Sequence, residues 1–113
     1  MDPHEIIKAI NEFAKIVHEN AVDHGWWEEE RKLPEIVALC TSELSEALEE
    51  YRNSNGIYYV KGGKPEGIAI EMLDCVIRVF DYLATLDINI GEKLWEKHTF
   101  NTERPYKHGG KVC

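Results

Sequence analysis

The chain has 113 residues and a formal net charge of -8. That length suits a single domain, 1–113, and leaves little room for two. The acidic balance excludes a general nucleic-acid binder, which carries an excess of Lys and Arg, and any anionic substrate would need cations or a local basic patch to approach.

The longest apolar runs are only a few residues, so no membrane span is expected. The start, MDPHEIIKAI, is charged and amphipathic and does not read as a secretory signal. Cys40, Cys75 and Cys113 form no CxxC pair and read as reduced thiols of a cytoplasmic protein. Cys40 and Cys75 fall inside apolar helical patterns, where small buried hydrophobes are the expectation. His108 and Cys113 lack the second spaced pair that a zinc site needs.

Asp2 and Pro3 look like the cap and first turn of a helix. Ile6, Ile7, Ile10, Phe13, Ala14 and Val17 then recur at three- and four-residue steps, giving one apolar stripe of a helix that ends near Gly25. Residues 26–33 are a charged connection carrying Trp26 and Trp27. Pro34 opens a second helix reaching about Arg52, with Ile36, Cys40, Leu44, Ala47 and Tyr51 as its apolar stripe and Glu43 at the stripe's edge. Residues 53–67 hold NSNG, GG and KP and read as a long loop with a short extended piece at 57–60. Loops of that length are often functional.

A third helix is expected from about Pro65 to Leu86. Its apolar residues cover most of the circumference, and Glu71, Asp74, Arg78, Asp81 and Thr85 share one narrow polar seam. A helix of that kind belongs in the middle of a core, or against a second protomer. A fourth helix covers about Ile90 to Phe100, and an irregular tail follows at 101–113. The sequence therefore predicts an all-α, four-helix bundle without substantial sheet, its second and third helices antiparallel. So short a chain buries a limited core, which favours a homo-oligomer, a dimer or a tetramer.

Two acidic pairs carry the chemistry. Glu43 and Glu46 lie three apart on the second helix, and Glu71 and Asp74 three apart on the third. Each pair projects from one helix face about one turn apart. Packed side by side, the two helices aim four carboxylates into one space, where they repel. A hard divalent cation resolves that repulsion, and Mg²⁺ suits a few carboxylates together with substrate phosphates. The competing reading is a solvated edge, laced on the third helix by an Asp74–Arg78 pair.

The order ExxE, a gap of 24 residues and ExxD resembles the all-α nucleoside triphosphate pyrophosphohydrolases, and most closely their MazG-like branch. The blocks that carry the resemblance are SELSEALEEYR, KPEGIAIEMLDCVIRVFD and KHTFNTERPYKHGGK. They cover roughly the C-terminal two-thirds of the chain. The resemblance implies a helical dimer or dimer of dimers, with Glu43, Glu46, Glu71 and Asp74 holding Mg²⁺ (or Mn²⁺). It implies attack of water at the α-phosphorus of a nucleoside triphosphate, with pyrophosphate leaving and Glu43 as the general base. One position departs: many MazG proteins carry a further Glu before the first motif Glu, and this chain has Ser42, which leaves the base open.

The tail answers the charge problem. Residues 97–113 hold Lys97, Arg104, Lys107 and Lys111 against Glu103 alone. Lys97, Asn101 and Arg104 stand at the family's KxxxNxxR positions, so they and Lys107 are expected on the phosphates. Without the family, Lys97 is simply a cation near a helix C-terminus, where the dipole favours it. Trp26 and Trp27 are candidates to stack on the base, against a place in the core or at an interface. The reading opposed to the enzyme is a noncatalytic helical oligomer acting as an interaction protein.

Overall fold

The computed structural model describes residues 1–105. Four helices, α1 (Pro3–Asp23), α2 (Leu33–Arg52), α3 (Ile68–Leu83) and α4 (Ile90–Thr102), are joined by short connections. A two-stranded hairpin, β1 (Tyr59–Lys61) and β2 (Lys64–Glu66), lies between α2 and α3. The fold is thus mostly helical, as expected. Part of the long loop is this antiparallel hairpin, with Tyr59 opposite Glu66 and Lys61 opposite Lys64.

Local signals set the helix ends. Asp2 accepts a hydrogen bond from the His4 amide at 2.9 Å, satisfying one of the free donors of the first turn. Asn89 caps α4 by accepting from the Glu92 amide at 3.0 Å. α3 begins at Ile68, three residues later than Pro65 suggested, because residues 64–66 pair in the hairpin instead. Gly67 makes the corner with φ of 117°, a conformation that L side chains avoid, and an added Cβ would lie 2.4 Å from the Ile57 carbonyl oxygen. α3 also ends early, at Leu83. α4 runs two residues beyond Phe100, so Asn101 is helical rather than part of the irregular tail.

α2 packs along α3, and α1 packs against both α3 and α4. Phe13 of α1 meets Phe80 of α3 edge-on at 5.8 Å. Asn11 ties α1 to α4 by donating to the Asn89 side chain at 2.8 Å and accepting from the Gly91 amide at 2.7 Å. Gly91 allows that approach, since a Cβ there would sit 2.3 Å from the Ile7 carbonyl oxygen.

The core of this single chain is small: Ala14, Ile36, Ala47 and Ile90 are its buried hydrophobic residues. That corrects two expectations. The apolar side chains of α3 are not enclosed within the chain, for Met72, Leu73, Val76, Ile77 and Val79 are all exposed. The stripe of α2 is also rotated. Leu44 and Tyr51 are 49% and 70% exposed. The face turned to α3 carries Ile36, Cys40, Glu43, Ala47 and Glu50, at alternating steps of four and three. Among the described residues, no helix is long and apolar enough to cross a membrane.

Candidate metal and nucleotide site

The rotation of α2 puts Glu43 inside the α2–α3 seam, where its side chain is only 12% exposed. Along that seam Cys40 meets Cys75, Glu43 meets Arg78 and Glu71, and Glu46 and Glu50 meet Glu71. From Cys40 with Cys75 to Glu50 with Glu71, α2 advances while α3 retreats, so the two helices are antiparallel. One carboxylate oxygen from each of Glu43, Glu46 and Glu71 lies within 4.8 Å of the others. Asp74 stands one turn further along α3 and feels the charge of Glu43. Three of the four expected acids therefore converge, and Asp74 lies within electrostatic reach of Glu43 and Glu46.

A second triad shares one member. Glu50, Glu66 and Glu71 also offer oxygens within 4.8 Å of one another. The Tyr59 hydroxyl of the hairpin donates to both oxygens of Glu50, at 3.1 and 3.2 Å. Lys64 pairs with Glu66 at 3.4 Å and lines a small cavity with Glu46, Glu49, Glu50 and Glu71. The hairpin thus adds both acid and base to the cluster, which the loop reading did not reveal.

Crowding sets the protonation. Burial, a hydrogen bond and the charge of Glu46, then contact with Glu43 and the charge of Asp74, push Glu71 up to about 7. Asp74 is also raised, by burial and then by Glu43, against the opposing pull of Arg78 and Lys64. The chain thus gathers acids whose full ionisation costs energy unless a cation is present.

The competing reading, a solvated edge, pairs Arg78 with Asp74, four residues earlier on the same helix. Instead the Arg78 Nε donates across the seam to Glu43 at 2.8 Å. The signal was in the pattern: a long cation on the seam reaches the facing helix as readily as its own next turn.

Beside the acids lies a cavity of about 570 Å³. Its apolar wall comes from Phe13, Ile16, Val17 and Ala21 of α1 and Ile77 of α3, and its polar rim includes Asn20, His24, Glu43, Asp74 and Arg78. The two tryptophans take different places here. Trp26 lines the cavity, with the Arg31 guanidinium 3.8 Å and that of Arg78 5.1 Å from its ring. Trp27 does not line it but donates its indole N–H, at 2.9 Å, to Asp81, which does. Asp81 is 6% exposed and is also hydrogen-bonded to His18 at 2.8 Å.

The basic residues of α4 lie apart from this site within the chain. Lys97 and Arg104 both face the Phe100 ring, at 4.8 and 6.0 Å. Lys97 lines a cavity of about 400 Å³ between α3 and α4, which shares no lining residue with the cavity beside the acids. Asn101 sits one turn from Lys97 on α4. Lys107 lies outside the described residues, as do His108, Lys111 and Cys113. No family model, curated protein or solved structure matches the chain.

Proposed function

We propose that this chain is a MazG-like, magnesium-dependent nucleoside triphosphate pyrophosphohydrolase, converting a (d)NTP to the (d)NMP and pyrophosphate. The observation that carries the reading is the convergence of Glu43, Glu46 and Glu71, of which Glu43 also lines, together with Asp74, an apolar cavity walled by Trp26. All-oxygen, multiply charged donors fit Mg²⁺, and Mn²⁺ shares that preference. Glu43, Glu46, Glu71 and Asp74 would hold it. When bound, such a cation neutralises phosphate charge and polarises phosphorus.

The chain's own groups then divide the work. Glu43, held by Arg78, serves as general base toward the attacking water. The cavity receives the base and sugar, with Trp26 as the stacking surface and Phe13, Ile16 and Ile77 excluding water. The outer phosphates are the leaving group and need cations as the bond opens. Lys97, Asn101 and Arg104 supply that role from a neighbouring copy, since within one chain none of them lines the cavity beside the acids and Lys97 lines a different one. The chain has no GxxxxGK[ST] loop, the device that P-loop enzymes use on the β- and γ-phosphates; Gly62-Gly63-Lys64 is followed by Pro65 and forms the hairpin turn.

A panel of the common NTPs and dNTPs with Mg²⁺, read by pyrophosphate release, tests the proposal. In ¹⁸O-water the label should enter the monophosphate. Label in free phosphate, with a diphosphate as the other product, would overturn it. The second reading, a noncatalytic helical oligomer, draws support from the exposed apolar surface of α2 and α3; absence of turnover on the whole panel would select it.

A further inference from the structure

We infer that Cys40 and Cys75 form a redox modification site, closing to an intramolecular disulfide across the α2–α3 seam. One contact joins the two residues: the Cys40 Sγ lies 4.0 Å from the Cys75 carbonyl oxygen. The thiols are close enough that, after burial, Cys75 is the next cause that pushes the Cys40 thiol up. Both residues are partly buried and both are free thiols. They sit on α2 and α3, the two helices that pack most extensively, which places them on facing elements as a disulfide requires. Neither thiol has a part in the proposed chemistry at the acids. Cys40 precedes Glu43 by one helical turn and Cys75 adjoins Asp74, so a bridge would fix the spacing of α2 and α3 at the acidic cluster.

The reaction balances with a peroxide as oxidant. One thiol gives up its proton and attacks an oxygen of hydrogen peroxide, the O–O bond breaks, and the leaving hydroxide takes up that proton, so a sulfenic acid and one water result. The second thiol attacks that sulfur, the S–O bond breaks, and a second water leaves. A dithiol reductant returns both thiols. A cross-link between residues so far apart in sequence also restricts the unfolded chain, so the oxidised form melts higher.

The test uses the full chain with Cys113→Ser, which leaves only the pair in question. After treatment with hydrogen peroxide, the mass of the chain should fall by about 2 Da, the two thiol hydrogens. A tryptic digest without reductant should join peptide 33–52 to peptide 62–78, and dithiothreitol should part them. The same treatment of Cys40→Ala should leave Cys75 open to alkylation. Full alkylation of both cysteines after peroxide, or a bridge found only between two chains, would overturn the inference. The readout is covalent and independent of nucleotide hydrolysis, so it stands or falls separately from the proposed activity.

Discussion

At the scale of single residues, the acids in the α2–α3 seam explain each other. Glu71 belongs to both carboxylate triads and is held near 7, so at neutral pH it carries a proton part of the time. The folded chain then binds more protons than the unfolded chain between the ordinary value of 4.5 and about 7. Stability without metal therefore falls as pH rises through that window, the opposite of a salt-bridged carboxylate. Thermal melts in a chelator should show that decline, and Glu71→Gln should flatten it. Because Mg²⁺ must displace the proton, its stabilising effect should grow over the same window, and Glu71→Gln should abolish most of it. A melting temperature that climbs between pH 5 and pH 7 in a chelator would contradict the assignment. Arg78 acts one step away, fixing Glu43 at 2.8 Å. Arg78→Ala should lower turnover by about 10- to 100-fold while the chain stays folded. Arg78→Lys should recover only part of this, because a point charge cannot reproduce the guanidinium's planar grip.

At the scale of elements, α3 is positioned at each end by something other than helix propensity. Gly67 lets the hairpin turn directly into α3, and the Ile68 and Ala69 amides donate back to the Gly56 and Ile57 carbonyls. Gly67→Ala should destabilise by roughly 1–3 kcal/mol in urea unfolding, from the strained φ and the clash with Ile57. Toward its other end, Asp81→Ala would leave the Trp27 indole and His18 without their acceptor, costing about 1–3 kcal/mol. Both losses should appear without any change in the acidic cluster. The four helices were legible because their apolar steps and caps are local: Asp2, Pro3 and the Ile6–Val17 stripe need nothing distant. The convergence of Glu43, Glu46 and Glu71 was legible too, because three-residue spacing on two helices specifies a shared face. The rotation of α2 was not. Leu44 and Tyr51 are as apolar as Ile36, and no single-helix wheel can tell a face that meets α3 from one that meets something else. For Trp27 the sequence left base stacking and a place in the core both open, because the acceptor that holds it, Asp81, lies 54 residues away. The hairpin escaped because strands of three residues are too short for alternation to register.

At the scale of the molecule, the chain is more open than a compact monomer of its length. Its radius of gyration is 16.6 Å, whereas a compact chain of this length has about 13 Å. Its accessible surface is 8594 Å², against about 6300 Å² for a folded monomer of this mass. The excess is of the size that an obligate interface buries. It coincides with two apolar stripes, Val37, Leu44, Leu48 and Tyr51 on α2 and Met72, Val76 and Val79 on α3, all exposed. Light scattering should therefore give at least twice the chain's 13.0 kDa. Leu48→Glu with Val76→Glu should break the assembly and lower the melting temperature. Assembly also bears on the chemistry. Within one chain, Asp74 looks toward α1 and the large cavity, while Cys75 and Val76 line the cavity that Lys97 rims. If one triphosphate is gripped by the acids of one copy and by the Lys97 face of another, each defect can be complemented. Glu71→Gln and Lys97→Ala should each be nearly inactive as pure assemblies. Unfolded, mixed in equal amounts and refolded together, they should recover part of the wild-type rate, because some sites then combine an intact acid cluster with an intact Lys97. No recovery from mixtures that demonstrably contain both chains would show that each site is built from one copy, and would remove Lys97 from the phosphate.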